Sequence, residues 1–253
     1  MRSSFTSSAI IAIALVLTAC GDSDVRTGPK RTETRSVGDF QALEVEGATR
    51  LEVTIGSPTR VEVEGRDPFL KSLTTEVRGD TLHIESKRRD WVSIGTSPRL
   101  TLRIQVPKLT GLKVEGGNDV TLRGFAGGST SIRIEGATNM NGKGHLDELT
   151  VFMAGAGHAD LGELTAKTAK VTVAGVGSVF VHPEESLDAT MNGVGAIFYA
   201  GSPRNVNTRV NGLGTIGQRG PRDTPVPPTP PDPDQLKPEY EEGEQEKTTT
   251  GVI

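Results

Sequence analysis

The chain has 253 residues, a formal charge of −4, 34% hydrophobic and 4% aromatic side chains, 31 glycines and a single cysteine. That length suits one domain with linkers. So few aromatic rings exclude an aromatic-dominated core, one cysteine excludes an intrachain disulfide, and a near-neutral body between Cys20 and Arg219 excludes the basic field that attracts nucleic acid.

In chain order, the first feature is an export signal. Arg2 is the only charged residue before Cys20, Ala9 to Leu17 is a short apolar run, and Leu17-Thr18-Ala19-Cys20 follows it. A positive start, a brief apolar core and small residues before a cut describe a secretory signal. The run falls short of the ~20 apolar residues needed to span a bilayer. Its last four residues resemble the lipobox of bacterial lipoprotein signals, which implies cleavage after Ala19 and lipidation of Cys20. The expected organisation is a signal peptide over 1–19, a lipid-anchored polar tether over 20–38, an all-β domain over 39–219 and a Pro-rich acidic tail over 220–253. Gly21 lacks the aspartate that often retains such proteins in an inner membrane, so in a cell with two membranes the outer one, or the periplasmic face, is favoured.

Alternating apolar and polar residues over Ala42 to Thr54, Thr59 to Gly65, Thr74 to Val77, Thr81 to Glu85 and Leu100 to Val106 predict strands. Arg78-Gly79-Asp80 reads as a hairpin turn, and Val63-Glu64-Gly65 echoes the repeat described next. This half is expected to begin as hairpins or to cap an open end.

From Gly116 onward the chain repeats. The triplets VEG 114–116, IEG 134–136, MAG 153–155, VAG 173–175, MNG 191–193 and VNG 210–212 echo VEG 45–47, and their glycines are spaced 20, 19, 20, 18 and 19 residues apart. Two residues before each glycine stand Val114, Ile134, Met153, Val173, Met191 and Val210. Four residues after it stand Val120, Met140, Ala159, Val179, Ile197 and Ile216. Each unit is therefore strand, glycine bend, strand and loop, with no convincing helical period. A unit this short buries a core only by stacking on its neighbours, which predicts a parallel β-solenoid, β-helix-like, with coils of ~19 residues. An antiparallel sandwich is the alternative. Beyond Gly220 the tail carries eight prolines, three basic and eight acidic side chains, and reads as a disordered segment that cannot bury enough apolar surface to fold. A ligand for a proline-reading domain, or a cell-wall spacer, is the alternative reading.

The pattern Asp39-Phe40, Leu43-x-Val45-x-Gly47, then Val106-Pro107-x-Leu109-x-x-Leu112-x-Val114-x-Gly116 and the later Gly-x-Gly pairs (155/157, 175/177, 193/195, 212/214) resembles the putative auto-transporter adhesin head GIN domain family over about residues 39 to 218. The resemblance implies an exported envelope protein, often a lipoprotein, with a β-solenoid fold and no attached chemistry. Where that family often has serine before its first glycine, this chain has Glu, Ala or Asn.

The sequence offers little for catalysis. Glycoside chemistry needs paired carboxylates in a cleft, usually beside aromatic platforms, and the body has one tryptophan, Trp91, and one tyrosine, Tyr199. Trp91 with Arg88, Arg89 and Asp90 forms at most a small patch. His145, His158 and His182 fall at different offsets from their repeat glycines and show no metal-ligand spacing. The Gly-x-Gly pairs precede no helix and are not a phosphate fingerprint. One surface patch stands out: Glu115 and Glu135 should stack on one outer face, with Asp119 and Asn139 across the bend. This is a candidate site for a cation such as Ca²⁺ or for a partner, set against plain charge pairing with Lys113 and Arg133. No cofactor or resident metal is expected. The reading is a non-enzymatic, lipid-anchored envelope scaffold or adhesin-like binding module, held to the membrane through Cys20 and facing an envelope protein or glycan. Its alternatives are a carbohydrate-active enzyme on a β-helix and an accessory factor in envelope sensing.

Overall fold

The structure, a computed structural model, describes residues 29–86 and 100–220. The signal segment, Cys20, most of the tether, the Trp91 cluster and the tail lie outside the described residues.

Alternation in the sequence becomes sixteen strands among the described residues. The regular part is β8 (Gly111–Glu115), β9 (Gly117–Ala126), β10 (Ser129–Ile134), β11 (Ala137–Met153), β12 (Ala156–Val173), β13 (Val176–Met191), β14 (Val194–Tyr199), β15 (Asn205–Val210) and β16 (Leu213–Gln218). Each coil runs along a back face, turns sharply at the repeat glycine, and returns along a front face. β11, β12 and β13 then pass from front to back through irregularities in register, so one long strand serves both faces. All pairing among these strands is parallel.

The pairing register reproduces the sequence columns. Val114, Ile134, Met153, Val173, Met191 and Val210 form one ladder. Val120, Met140, Ala159, Val179, Ile197 and Ile216 form another. Except at the last coil, these side chains are about fully buried in one continuous apolar core. A slip of one residue would turn each strand's apolar set outward, so the columns fix the register.

The repeat glycines have a steric reason beyond turning. A Cβ on Gly136, Gly155, Gly175 or Gly193 would fall on the carbonyl oxygen of the repeat glycine one coil earlier. The corner backbones stack directly, and only hydrogen fits between them. Gly157, Gly177 and Gly195, two residues on, also hold φ of +145°, +149° and +139°, a region that L side chains rarely adopt.

The N-terminal half holds a rearrangement that its strand pattern does not show. β2 (Ala42–Glu46) and β3 (Thr49–Ile55) form a coil around Gly47, and β6 (Thr81–Ser86) and β7 (Leu100–Val106) flank that coil on its outer side. On its inner side β2 pairs with β8 and β3 with β9, all in parallel. In space, the coil of residues 42–55 therefore lies between residues 81–106 and residues 111–126. Beyond β6 and β7, β4 (Arg60–Arg66) and β5 (Leu73–Arg78) run antiparallel to β7 and β6, and β1 (Lys30–Arg35) runs antiparallel to β4. The helix α1 (Asp67–Ser72) joins β4 to β5 and tucks Phe69 and Leu70 over the end.

The outer part of this half, β1, β4, α1 and β5, caps the solenoid at its free edge. The hairpin at Arg78-Gly79-Asp80 is present, with Arg78 opposite Thr81 and Gly79 at φ +63°. Two expectations are corrected. Val63-Glu64-Gly65 is not a repeat corner, because β4 runs against the solenoid direction. Among the described residues there is also one helix, α1, whose six residues are too few to leave a period in the sequence.

Candidate functional site

The back face carries an outward charge ladder. Glu44 stands between His83 and Lys113 in register, and Lys113 stands next to Arg133. The Lys113 Nζ reaches Glu44 at 2.9 Å and Glu135 at 3.4 Å, and also contacts Glu115. Arg133 pairs with Glu135 at 2.5 Å and lies over the Phe152 ring, 4.5 Å from its centroid. Hydrogen bonds to Glu115 and Glu44 raise the Lys113 ammonium above the ordinary lysine range. The hydrogen bond from Arg133 holds the Glu135 carboxyl below the usual carboxylate range.

Lys113 and Arg133 thus neutralise the stacked Glu115 and Glu135. On the front face, Asp119 sits beside Asn139 in the ladder and pairs with Arg50 at 3.4 Å. The four residues of the sequence patch therefore divide two and two between the faces. Among the described residues, no three His, Cys, Asp or Glu side chains gather as metal ligands.

The histidines depart from the sequence reading. Register shifts between Asn141 and Lys143, and between Leu161 and Thr165, bring His145, Thr165 and His182 into one ladder. His145 Nδ1 lies 2.9 Å from Thr165 Oγ1 and 3.8 Å from Glu184, and His182 Nδ1 donates to the Gly162 carbonyl at 3.2 Å. His158 hydrogen-bonds Ser178 on a different column, at 2.6 Å. Offsets from the glycine separate His145 from His182 because a count of residues does not see the irregularities in the strands.

Two open hollows lie toward the C-terminal coils. The larger, about 680 Å³, runs along the back face, with Glu148, Lys170, Asp188, Arg204 and Asn207 among its lining. Glu148 and Asp188 sit two rungs and two residues apart, about 12 Å between backbones at ordinary strand spacings. Glu148 accepts from Ser129 and Asp188 from Asn207. The smaller hollow, about 530 Å³, is bordered by His182, Gly201, Ser202, Gln218 and Arg219.

The sequence reading missed a third feature. The residue after each repeat glycine faces outward at the corner, and its column grows along the solenoid: Gly117, Ala137, Ala156, Val176, Val194, Leu213. The last three are 58%, 46% and 79% exposed. The trend in side-chain size was visible in the aligned repeats and was the available signal.

Fold and surface together define a capped parallel β-solenoid whose outward side chains lie in ladders. The chain belongs to the family described as "putative auto-transporter adhesin, head GIN domain", whose model matches residues 39–203. A solved "putative adhesin" from Bacteroides fragilis is 21% identical, with 76% of this chain and 97% of that one covered and a TM-score of 0.54. A "putative adhesin" from Parabacteroides distasonis is 20% identical over 76% of this chain and 98% of its own, at a TM-score of 0.45. A "putative lipid binding protein" from the same species is 20% identical over 76% and 98%, at 0.41. Among curated proteins nothing matches the chain. No helix among the described residues is long and apolar enough to cross a membrane.

Proposed function

We propose that this protein is a non-enzymatic, adhesin-like binding module of the cell envelope, tethered by lipid on Cys20 and presenting the solenoid side to a protein or glycan. The observation that carries this reading is the organisation of the surface. Outward polar groups are spent on one another along the ladders, as Lys113 is on Glu44, Glu115 and Glu135, and a ladder of this kind offers an extended face in place of a convergent pocket. The family description points the same way.

The test is a crosslinked pull-down of the intact lipoprotein from its own envelope, beside the Cys20→Ser form and beside charge reversals along the back face at Lys113 and Arg133. A partner retained by the anchored form and lost on charge reversal supports the reading. Envelope interactions that are the same in all three forms would sink it.

One observation favours a second reading, a carbohydrate-active enzyme: the back-face groove holds two acids and two bases. Its two carboxylates come from Glu148 and Asp188, two rungs apart on the back face, and glycoside hydrolysis by either standard route needs the pair within ~10 Å of each other. Turnover of an envelope polysaccharide by the purified domain, abolished in Glu148→Gln or Asp188→Asn, would establish it.

A further inference from the structure

The two ends of the solenoid are unlike. One is sealed by β4, α1, β5 and β1. At the other, among the described residues, β15 pairs only with β13 and β16 only with β14, so a row of backbone N–H and C=O groups is left as a template for another strand. All six residues of β15 are exposed. Its inward-type positions include Val206 and Val210, which are 44% and 47% exposed where their counterparts one coil back, Leu187 and Met191, are buried.

Every large apolar side chain exposed among the described residues lies on this part of the molecule: these two valines and the ridge of Val176, Val194 and Leu213. The end is also basic. Arg204, Arg209 and Arg219 fall between Ala200 and Gly220, where there is no Asp or Glu. Arg219 stacks on Phe198, 4.2 Å from the ring centroid.

An occupant must therefore be acidic, strand-competent and apolar in part. A second copy meeting end to end would set three arginines against three, which is repulsive. The chain itself carries a segment of the required chemistry. Residues 221–253 begin directly after the last strand's turn and hold three basic against eight acidic side chains. All the prolines of that segment precede Glu239. From there Glu239-Tyr240-Glu241-Glu242-Gly243-Glu244-Gln245-Glu246 leads into Thr248-Thr249-Thr250 and Val252-Ile253. Proline cannot donate to a ladder, whereas β-branched residues suit one. The intervening 221–238 can span up to ~56 Å as an extended polyproline helix, enough to recross the end of a coil.

We propose that Glu239–Ile253 adds along β15 of its own chain and closes the open end, with its glutamates against Arg204 and Arg209 and its β-branched residues over Val206 and Val210. This inference is independent of the binding-module reading: it concerns which surface of the solenoid is free to bind at all.

Hydrogen–deuterium exchange tests it on three proteins. These are the full chain, a chain ending at Gly220, and a full-length chain with Glu239, Glu241, Glu242, Glu244 and Glu246 all changed to Lys. The expected result is exchange in β15 at least tenfold slower in the full chain than in the other two, with β9 to β12 unchanged in all three as the control for folding. Raising salt to 1 M, where the screening length falls to ~3 Å, should erase most of the difference. Equal exchange in β15 across the three proteins would overturn the proposal. So would protection that survives the charge reversal, protection that scales with protein concentration and so comes from a second copy, or protection seen only when envelope extract is added.

Discussion

Replacing Gly175 by alanine tests the direct stacking of the corners. The new Cβ would land on the Gly155 carbonyl oxygen and stand 2.7 Å and 2.8 Å from the Ala154 oxygen and carbon. All three are backbone atoms and cannot swing aside, so the coils must part at this corner. The bonds at risk run from Ala174 N and Gly175 N to Met153 O at 2.8 and 3.2 Å, and from Val176 N to Gly155 O at 3.0 Å. Losing two of them costs about 1 kcal/mol each, and overpacking adds about 1–3 kcal/mol. The expected loss is therefore about 3–5 kcal/mol, a large share of the ~5–15 kcal/mol that holds a typical domain.

Urea unfolding followed by circular dichroism measures it, with the slope checked for constancy across variants. Two other glycines separate steric from conformational cost. At Gly79, with φ +63° and no atom within 4 Å of where a Cβ would stand, alanine should cost about 1–2 kcal/mol from the left-handed backbone alone. At Gly217, with no close atom and no positive φ, it should stay within about 0.5 kcal/mol. If Gly175→Ala falls within about 1 kcal/mol of Gly217→Ala, a threshold set by the usual scatter of such effects, direct corner stacking is not what selects glycine.

Further outcomes follow from the same geometry. Asn118, only 5% exposed, accepts from Thr49 Oγ1 and donates to the Glu115 carbonyl; Asn118→Leu strands both partners and should cost about 1–3 kcal/mol, read as a lower urea midpoint. Val173→Ala opens a cavity in a fully buried ladder and should cost about 2 kcal/mol, whereas Val206→Ala on the exposed β15 should change stability little in the chain ending at Gly220. Lys113→Met leaves Glu44, Glu115 and Glu135 without their shared cation and should destabilise by about 1 kcal/mol at pH 7, since the group is partly solvated; urea unfolding at low and at high salt should show the deficit shrinking as salt screens the charges. Arginine or lysine partners hold Glu64, Glu76, Glu135 and Asp147 below their ordinary values. Their contribution is therefore present above the unfolded carboxylate range near ~4 and lost as pH falls through the lower native values. A melting temperature that is flat from pH 5 to 8 and declines below about 4 is the expected profile, and a decline beginning already near pH 6 would refute this assignment.

The repeat columns were legible because burial enforces them. Val114 to Val210 and Val120 to Ile216 each had to be apolar to form a ladder, and a period of ~19 residues then fixes strand, corner and register together. The charge pairing of Lys113 and Arg133 with Glu115 and Glu135 was legible for the same reason, since alternation places them on one face. What the columns do not encode is the order of coils in space. Pairing between residues 42–55 and 111–126 leaves no periodic trace across the excursion between them. The direction of β4 is equally silent, because alternation reads the same both ways, and this is why Val63-Glu64-Gly65 imitated a corner. The shared column of His145 and His182 was hidden by the irregularities near Gly142 and Gly162, where the count of residues and the count of rungs part company.

The interleaved order near the cap bears on how the molecule comes to be folded. Coils from β8 onward close loops of about 20 residues, as the bonds His145–Thr165 and Asn192–Asn211 span 20 and 19. The coil of residues 42–55 meets its inner neighbour across 69, in Thr49–Asn118 and Glu44–Lys113. Loop-closure entropy makes the longer connection dearer by about 1 kcal/mol, whereas on its outer side the same coil meets strands that are nearer in sequence, with Ala42 opposite Thr81 and Thr49 opposite Leu100. The coil of residues 42–55 can therefore pair on its outer side first, while its inner side must wait for residues 111–126. A strand-rich segment that must wait in this way needs protection from chance pairing. Three glutamates and one arginine, Glu44, Glu46, Glu52 and Arg50, supply it while the rest of the solenoid arrives.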